Sequence, residues 1–278
     1  MENTKNRKIY AVSDATRYGS DFLTKLLPDR TFPFPKSLYA VHDAIRFFVA
    51  NKPNALIVDF FAGSGTTLHA INLLNAEDSG HRRCIMVTNN EVSADEAKAL
   101  AAQGYHPGDE AWEKLGIARY VTWPRTVCSI EGHDVNGNPL KGNYIGSDIP
   151  MADGFKANAA FFKLGFLDKN AVALGRQFKE LLPILWMKVG AVGPCPAISD
   201  YTPDMLILPE NRFAVLVEEK QYMEFAKKLG EYSEIETVFI VTDSESGYRD
   251  MIAGLNVKVS YQLYRDYLDN FRINSVRR

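Results

Sequence analysis

The run Asp59-Phe60-Phe61-Ala62-Gly63-Ser64-Gly65-Thr66-Thr67 constrains the fold of this chain more than any other segment. It is entered from Ala55-Leu56-Ile57-Val58, a short continuous apolar stretch. Such a stretch, bounded by turn residues, predicts a strand over Ala55–Phe61 buried on both faces, as in parallel sheets. Gly63 and Gly65 let the backbone turn sharply and approach a ligand closely. The pattern from Thr66 to Leu74 predicts a helix, whose first N–H groups are free to meet an anionic group. Strand, glycine turn and helix form a unit of α/β sheets, where ligands bind beyond the carboxyl ends of the strands.

The neighbouring segments extend that unit. Leu38, Val41, Ile45 and Phe48 or Val49 recur at helical spacing and predict a helix from Leu38 to Ala50. Cys84 to Thr88 predicts a second strand, ending at Asn89-Asn90-Glu91. An acidic residue there commonly accepts hydrogen bonds from ribose hydroxyls. Asn89 and Asn90 can read an adenine edge or simply turn the chain. Ser93 and Glu96 have capping-box spacing for a following helix. Tyr120-Val121-Thr122 and Val127-Cys128-Ser129-Ile130 are β-rich and, with the turn signal Asn136-Gly137, predict a β-hairpin excursion. Residues 1–35 read as a polar N-terminal connector ending in Phe32-Pro33-Phe34-Pro35. Residues 151–200 read as a connecting region with a helix near Val172–Lys188, closed by the proline-rich stretch from Pro194 to Pro203.

Residues 201–278 repeat the α/β rhythm as a smaller module. Strands are expected at Phe213–Val217, Thr237–Val241 and Val257–Val259. Helices are expected at Lys220–Leu229, Ser244–Leu255 and Tyr261–Phe271.

The string Asp-x-Phe-Ala-Gly-Ser-Gly-Thr-Thr is similar to the cofactor motif of amino-group DNA methyltransferases, which make N6-methyladenine or N4-methylcytosine. The resemblance implies an α/β fold: a Rossmann-like methyltransferase sheet over residues 36–150 that binds S-adenosylmethionine. Asp59, Phe61, Gly63 and Gly65 would line its methionine moiety, with Ala62, Ser64 and Thr66 in the same loop. Phe32-Pro33-Phe34-Pro35-Lys36-Ser37 resembles the segment that caps the cofactor's carboxylate end, where Lys36 supplies a cation and Ser37 a hydroxyl. Glu91 and Asn89 fall where the ribose and adenine would lie. Gly116-Ile117-Ala118 through Trp123-Pro124-Arg125 resembles the region that follows the cofactor motifs.

The order of these segments resembles the permuted arrangement of modification subunits in type III restriction systems. There the catalytic motif, Asp-Pro-Pro-Tyr or a variant, and the target-recognition region lie upstream. These 278 residues contain no Pro-Pro pair. The resemblance therefore implies cofactor binding without catalysis by these residues, and a second polypeptide that brings the catalytic motif and contacts DNA.

Composition limits the alternatives. A net charge of -2 gives no basic signature of stand-alone DNA binding. Cys84, Cys128 and Cys195 lie far apart, which fits small buried side chains in a reducing, cytoplasmic setting rather than a zinc site. No apolar run reaches membrane-span length, so no membrane partner is expected. Two further readings stay open. The chain can be a non-catalytic remnant or an assembly module of a restriction–modification system. Pro203-Asp204 with Glu218-Glu219-Lys220 also fits the loose pattern of metal-dependent nucleases, Asp204 and Glu218 holding Mg²⁺ and Lys220 helping to activate water.

Overall fold

A computed structural model describes residues 14–30, 32–164, 178–199 and 201–263. The chain is α/β and divides into two compact units, residues 1–161 and 162–278.

In the first unit a wide helical turn, Thr16–Ser20, runs into α1 (Asp21–Leu26). Then follow α2 (Leu38–Val49), β1 (Leu56–Asp59), α3 (Thr66–Asp78) and β2 (Arg83–Met86). After them come α4 (Ala94–Ala102), α5 (Glu110–Lys114), a wide turn Ala118–Thr122 and α6 (Trp123–Glu131). β1 and β2 pair in parallel, with Val58 beside Ile85. The crossover between them is α3, which is buried at Thr66 and from His69 to Leu74 and packs against α2 and α6.

The described part of residues 1–35 is not a connector. Phe22, Leu23, Leu26 and Leu27 recur at helical spacing and fill the core with Leu38, Tyr39, Leu73, Val121 and Tyr144. The polar background of the segment hides that spacing. Gly19 lies against Pro35, whose carbonyl oxygen would stand 2.3 Å from any Cβ at that position. This contact folds the proline-rich run back over the N-terminal helix.

Two further expectations are corrected here. Tyr120–Thr122 and Val127–Ile130 are helical, not a β-hairpin. Pro124 stands at the first helical positions of α6, where a missing N–H costs nothing, and Gly132 ends the helix at φ 76°. Packing of Val121 and Cys128 into the core overrides their β propensity. Of the anticipated excursion there remain an Asp134–Gly137 turn and the isolated bridges His133–Pro139 and Asn143–Pro150. The other correction concerns β1, which is not buried on both faces. Leu56, Val58 and Ile85 are 50%, 46% and 44% exposed, and Phe60 and Val87 continue the open surface. Parallel strands normally lie between two covering layers.

The second unit does have such layers. α7 (Phe178–Lys188) precedes the sheet strands β3 (Met205–Leu208), β4 (Phe213–Leu216), β5 (Thr237–Val241) and β6 (Val259–Leu263). The spatial order is β3-β4-β5-β6, antiparallel in the first pair and parallel in the others. Phe213, Val215, Phe239 and Val241 face α7. Ala214, Leu216, Val238 and Ile240 face α8 (Tyr222–Leu229) and α9 (Glu245–Ala253). Tyr261–Leu263, anticipated as the start of a helix, instead extend β6; residues 264–271 of that helix lie outside the described residues. So do residues 172–177 of the helix expected before Lys188.

Candidate functional site

Asp59 ends β1 and shapes the turn that follows. One carboxylate oxygen accepts from the Phe61 N–H at 3.0 Å and the other from the Thr67 hydroxyl at 2.6 Å. The Gly65 N–H closes the turn on the Ala62 carbonyl at 2.8 Å. Gly63 and Gly65 hold φ of 49° and 76°, a region that costs other residues strain. Gly65 is also the N-cap of α3, so the first turn of a 13-residue helix opens directly onto the loop. That is the anion-favouring end of the helix.

β2 brings the second segment alongside. Its Val87 N–H donates to Asp59 O at 2.7 Å, and the Ala62 N–H returns to Val87 O at 3.2 Å. The carboxyl ends of two parallel strands therefore meet at the glycine loop, where open α/β sheets bind ligands. Beyond β2, Asn89 Nδ2 donates to Glu91 Oε2 at 3.2 Å, and both side chains are exposed. Asn90 is structural. Its amide donates to Glu113 O at 2.8 Å and accepts from the Arg119 N–H at 3.2 Å. Gly116 packs so closely on it that a Cβ there would stand 2.2 Å away.

The proline-rich segment reaches the loop through Phe32, whose ring edge is 3.4 Å from where a Gly63 Cβ would lie. Lys36 is exposed. Ser37 is buried as the N-cap of α2 and accepts from the Ala40 N–H at 3.4 Å. Phe61, anticipated at the methionine moiety, is 94% exposed beside the loop.

Residues 116–125 resemble the region that follows the cofactor motifs, but the sequence singles out no side chain there; the structure brings two of them to the loop. The Thr122 hydroxyl donates to Gly63 O at 2.5 Å. Arg125, 1% exposed, donates through Nη1 to Ser64 Oγ at 3.0 Å and Thr66 Oγ1 at 2.8 Å. Thr122 and Arg125 are three apart, hence on one helix face, and both grip the glycine loop. A helical reading of this stretch would have paired them; the β reading covered Tyr120–Thr122 and Val127–Ile130 and left Arg125 between the two segments.

His69, one turn into α3, is fully buried and shares a 2.9 Å hydrogen bond with the Tyr144 hydroxyl. Burial, reinforced by Arg125, holds it well below the usual histidine range, so it is neutral. An open cleft of about 550 Å³, lined by Arg46, Glu77, Asp78 and Asp148, lies at the other end of α3, away from the loop. In the second unit Asp204 O accepts the N–H groups of Val217 and Glu218, so Asp204 and Glu218 are neighbours. Lys220 sits in a 3₁₀ turn past the strand. Among the described residues no three His, Cys, Asp or Glu side chains gather as a metal site, and no helix is long and apolar enough to cross a membrane.

No family model matches the chain. Curated proteins similar to part of it include the following three. Type II methyltransferase M.KpnI of Klebsiella pneumoniae is 41% identical over 75 residues, 27% of this chain and 18% of that protein. The Mod subunit of the type III restriction–modification enzyme EcoPI, from Escherichia phage P1, is 36% identical over 96 residues, 34% of this chain and 14% of that subunit. The Mod subunit of StyLTI, from Salmonella typhimurium, is 34% identical over 96 residues, with the same shares. The matched segments span less than a fifth of these relatives. Over about a third of its length, then, the chain is similar to methyltransferases of restriction–modification systems.

Proposed function

We propose that this chain is the S-adenosylmethionine-binding portion of an adenine-N6 or cytosine-N4 DNA methyltransferase, and that it acts with a second polypeptide carrying the Asp-Pro-Pro-Tyr-type motif and the target-recognition region. The observation that carries the reading is the loop from Asp59 to Thr67. It has two glycines at positive φ and sits between a parallel strand and a helix N-terminus, with an exposed acid, Glu91, past the end of the neighbouring strand. Ala62, Gly63, Ser64 and Gly65 would approach the methionine moiety, Lys36 its carboxylate, and Glu91 with Asn89 the ribose and adenine. Asp59 and Ser37 act by holding the backbone, since both already bond to it. When bound, S-adenosylmethionine supplies the electrophilic methyl group.

The open face of β1 and β2 supports the second polypeptide. A two-stranded parallel sheet is a fragment of a layer, and an apolar face of five side chains next to a ligand loop marks an interaction surface. Methylating an exocyclic amine also needs a base taken out of its stack and acceptors that orient the amine. These residues offer neither an Asp-Pro-Pro-Tyr motif nor a basic surplus.

Transfer of a tritiated methyl group to unmethylated DNA tests this reading. The chain alone should incorporate no label, because orienting reactants contributes about 7–11 kcal/mol to such barriers. Co-expression with a polypeptide bearing the catalytic motif should restore incorporation. Clear incorporation by the isolated chain would refute the division of labour.

A further inference from the structure

We infer that Arg125 is a positioning residue, which locks the glycine loop in its ligand-ready shape and lends it positive charge favouring a ligand that turns the carboxylate of a zwitterionic amino-acid tail toward it. The inference rests on the cofactor reading above. Arg125 does not reach the surface, so it acts through Ser64 and Thr66 rather than by touching ligand. Its Nη1 also lies 3.4 Å from Ser64 O, so backbone and both hydroxyls of the loop share one donor.

The electrostatics are unusual for a buried guanidinium. Burying a charge is costly unless it is paired. No carboxylate within the described residues pairs with Arg125, and its Nε has no hydrogen-bond partner. Burial lowers its pKa to about 10, which still leaves it charged at neutral pH. His69, its buried neighbour, is neutral and offers no counter-charge. The cation therefore lies behind the N-terminus of α3, whose dipole has the same sign. Two positive contributions with no carboxylate partner among the described residues converge on a loop of two glycines and a serine. A carboxylate arriving at that loop completes the charge balance. The nucleoside end of the same ligand gains nothing from it.

Two nucleosides separate these contributions. S-adenosylhomocysteine carries the amino-acid tail, whereas 5′-methylthioadenosine has the same base, ribose and sulfur without it. Calorimetry on the full chain should show wild type preferring the first by about tenfold or more. In Arg125→Met the preference should fall several-fold, leaving the part that Lys36 supplies, while Arg125→Lys, which keeps the charge, should retain most of it. In ligand-free protein, amide exchange at residues 62–66 should accelerate in both variants, leaving β4 and β5 unchanged. Should Arg125→Met fail to fold, the lysine variant carries the exchange test. An unchanged preference and unchanged exchange, with wild type binding normally, would overturn this inference alone. Wild type that binds neither nucleoside would overturn the cofactor reading and the positioning role together.

Discussion

The Thr122 hydroxyl reaches across 59 positions of sequence to donate to the carbonyl oxygen of Gly63. It ties the segment that follows the cofactor motifs to the most recognisable motif in the chain. Replacing Thr122 with Val keeps the shape and removes the donor. Urea unfolding should show a loss of about 1 kcal/mol, and amide exchange in the loop should rise. An unaltered midpoint together with unaltered exchange would mean that the bond does not hold the loop.

The two loop glycines should differ in their tolerance of a side chain. At Gly65 a Cβ would meet Thr122 Cγ2 at 3.1 Å and also suffer φ of 76°. At Gly63 the nearest atom is Phe32 Cζ at 3.4 Å, an ordinary contact, with φ of 49°. Gly65→Ala should therefore cost about 1–3 kcal/mol and Gly63→Ala about 1 kcal/mol. Thermal unfolding of both variants gives the order, and a reversed order would contradict the loop geometry described here.

His69 makes stability depend on pH. Its folded form is neutral and resists protonation, while the unfolded chain takes up the proton near pH 6.5. Stability is full above that value and falls as the pH drops below it, by about 1.4 kcal/mol per unit. His69→Gln should flatten the decline between pH 6.5 and 5 by that amount. Parallel pH profiles for the two proteins would show that His69 takes up its proton as readily in the fold as in the unfolded chain.

The open sheet face should be permissive in the isolated chain and demanding in an assembly. Val58→Lys and Ile85→Lys, on adjacent strand positions, should change the stability of the chain by less than about 1 kcal/mol. The same pair should abolish association with a polypeptide carrying the catalytic motif, measured by analytical ultracentrifugation. Loss of folding in the isolated chain would show that this face is already covered; association left intact would place the partner elsewhere.

Much of this organisation was legible in the residues. The glycine turn, the helix starting at Thr66 and the cap at Ser93 follow from local chemistry, and each forms where expected. The strands Phe213–Leu216 and Thr237–Val241 were equally clear, because burial on both faces leaves an unbroken apolar run. What failed was decided by tertiary packing. Val121 and Cys128 carry β propensity, yet they are core residues of a helix entered through Pro124. Phe22 and Leu26 sit in a polar stretch whose helical spacing covers barely one turn. Thr122 and Arg125 escaped notice for the same reason: their role depends on a helix that the β-rich composition concealed.

The most direct test is calorimetric titration of the purified chain with S-adenosylmethionine, beside Gly63→Trp and Glu91→Ala. The account predicts one site for wild type and no measurable binding for Gly63→Trp with its fold intact by near-ultraviolet circular dichroism. For Glu91→Ala it predicts affinity weakened by about 1–3 kcal/mol, as expected when charge-assisted bonds to the ribose are lost. A wild-type chain that is folded and takes up no S-adenosylmethionine, or a Gly63→Trp variant that binds it as well as wild type, would contradict the central claim.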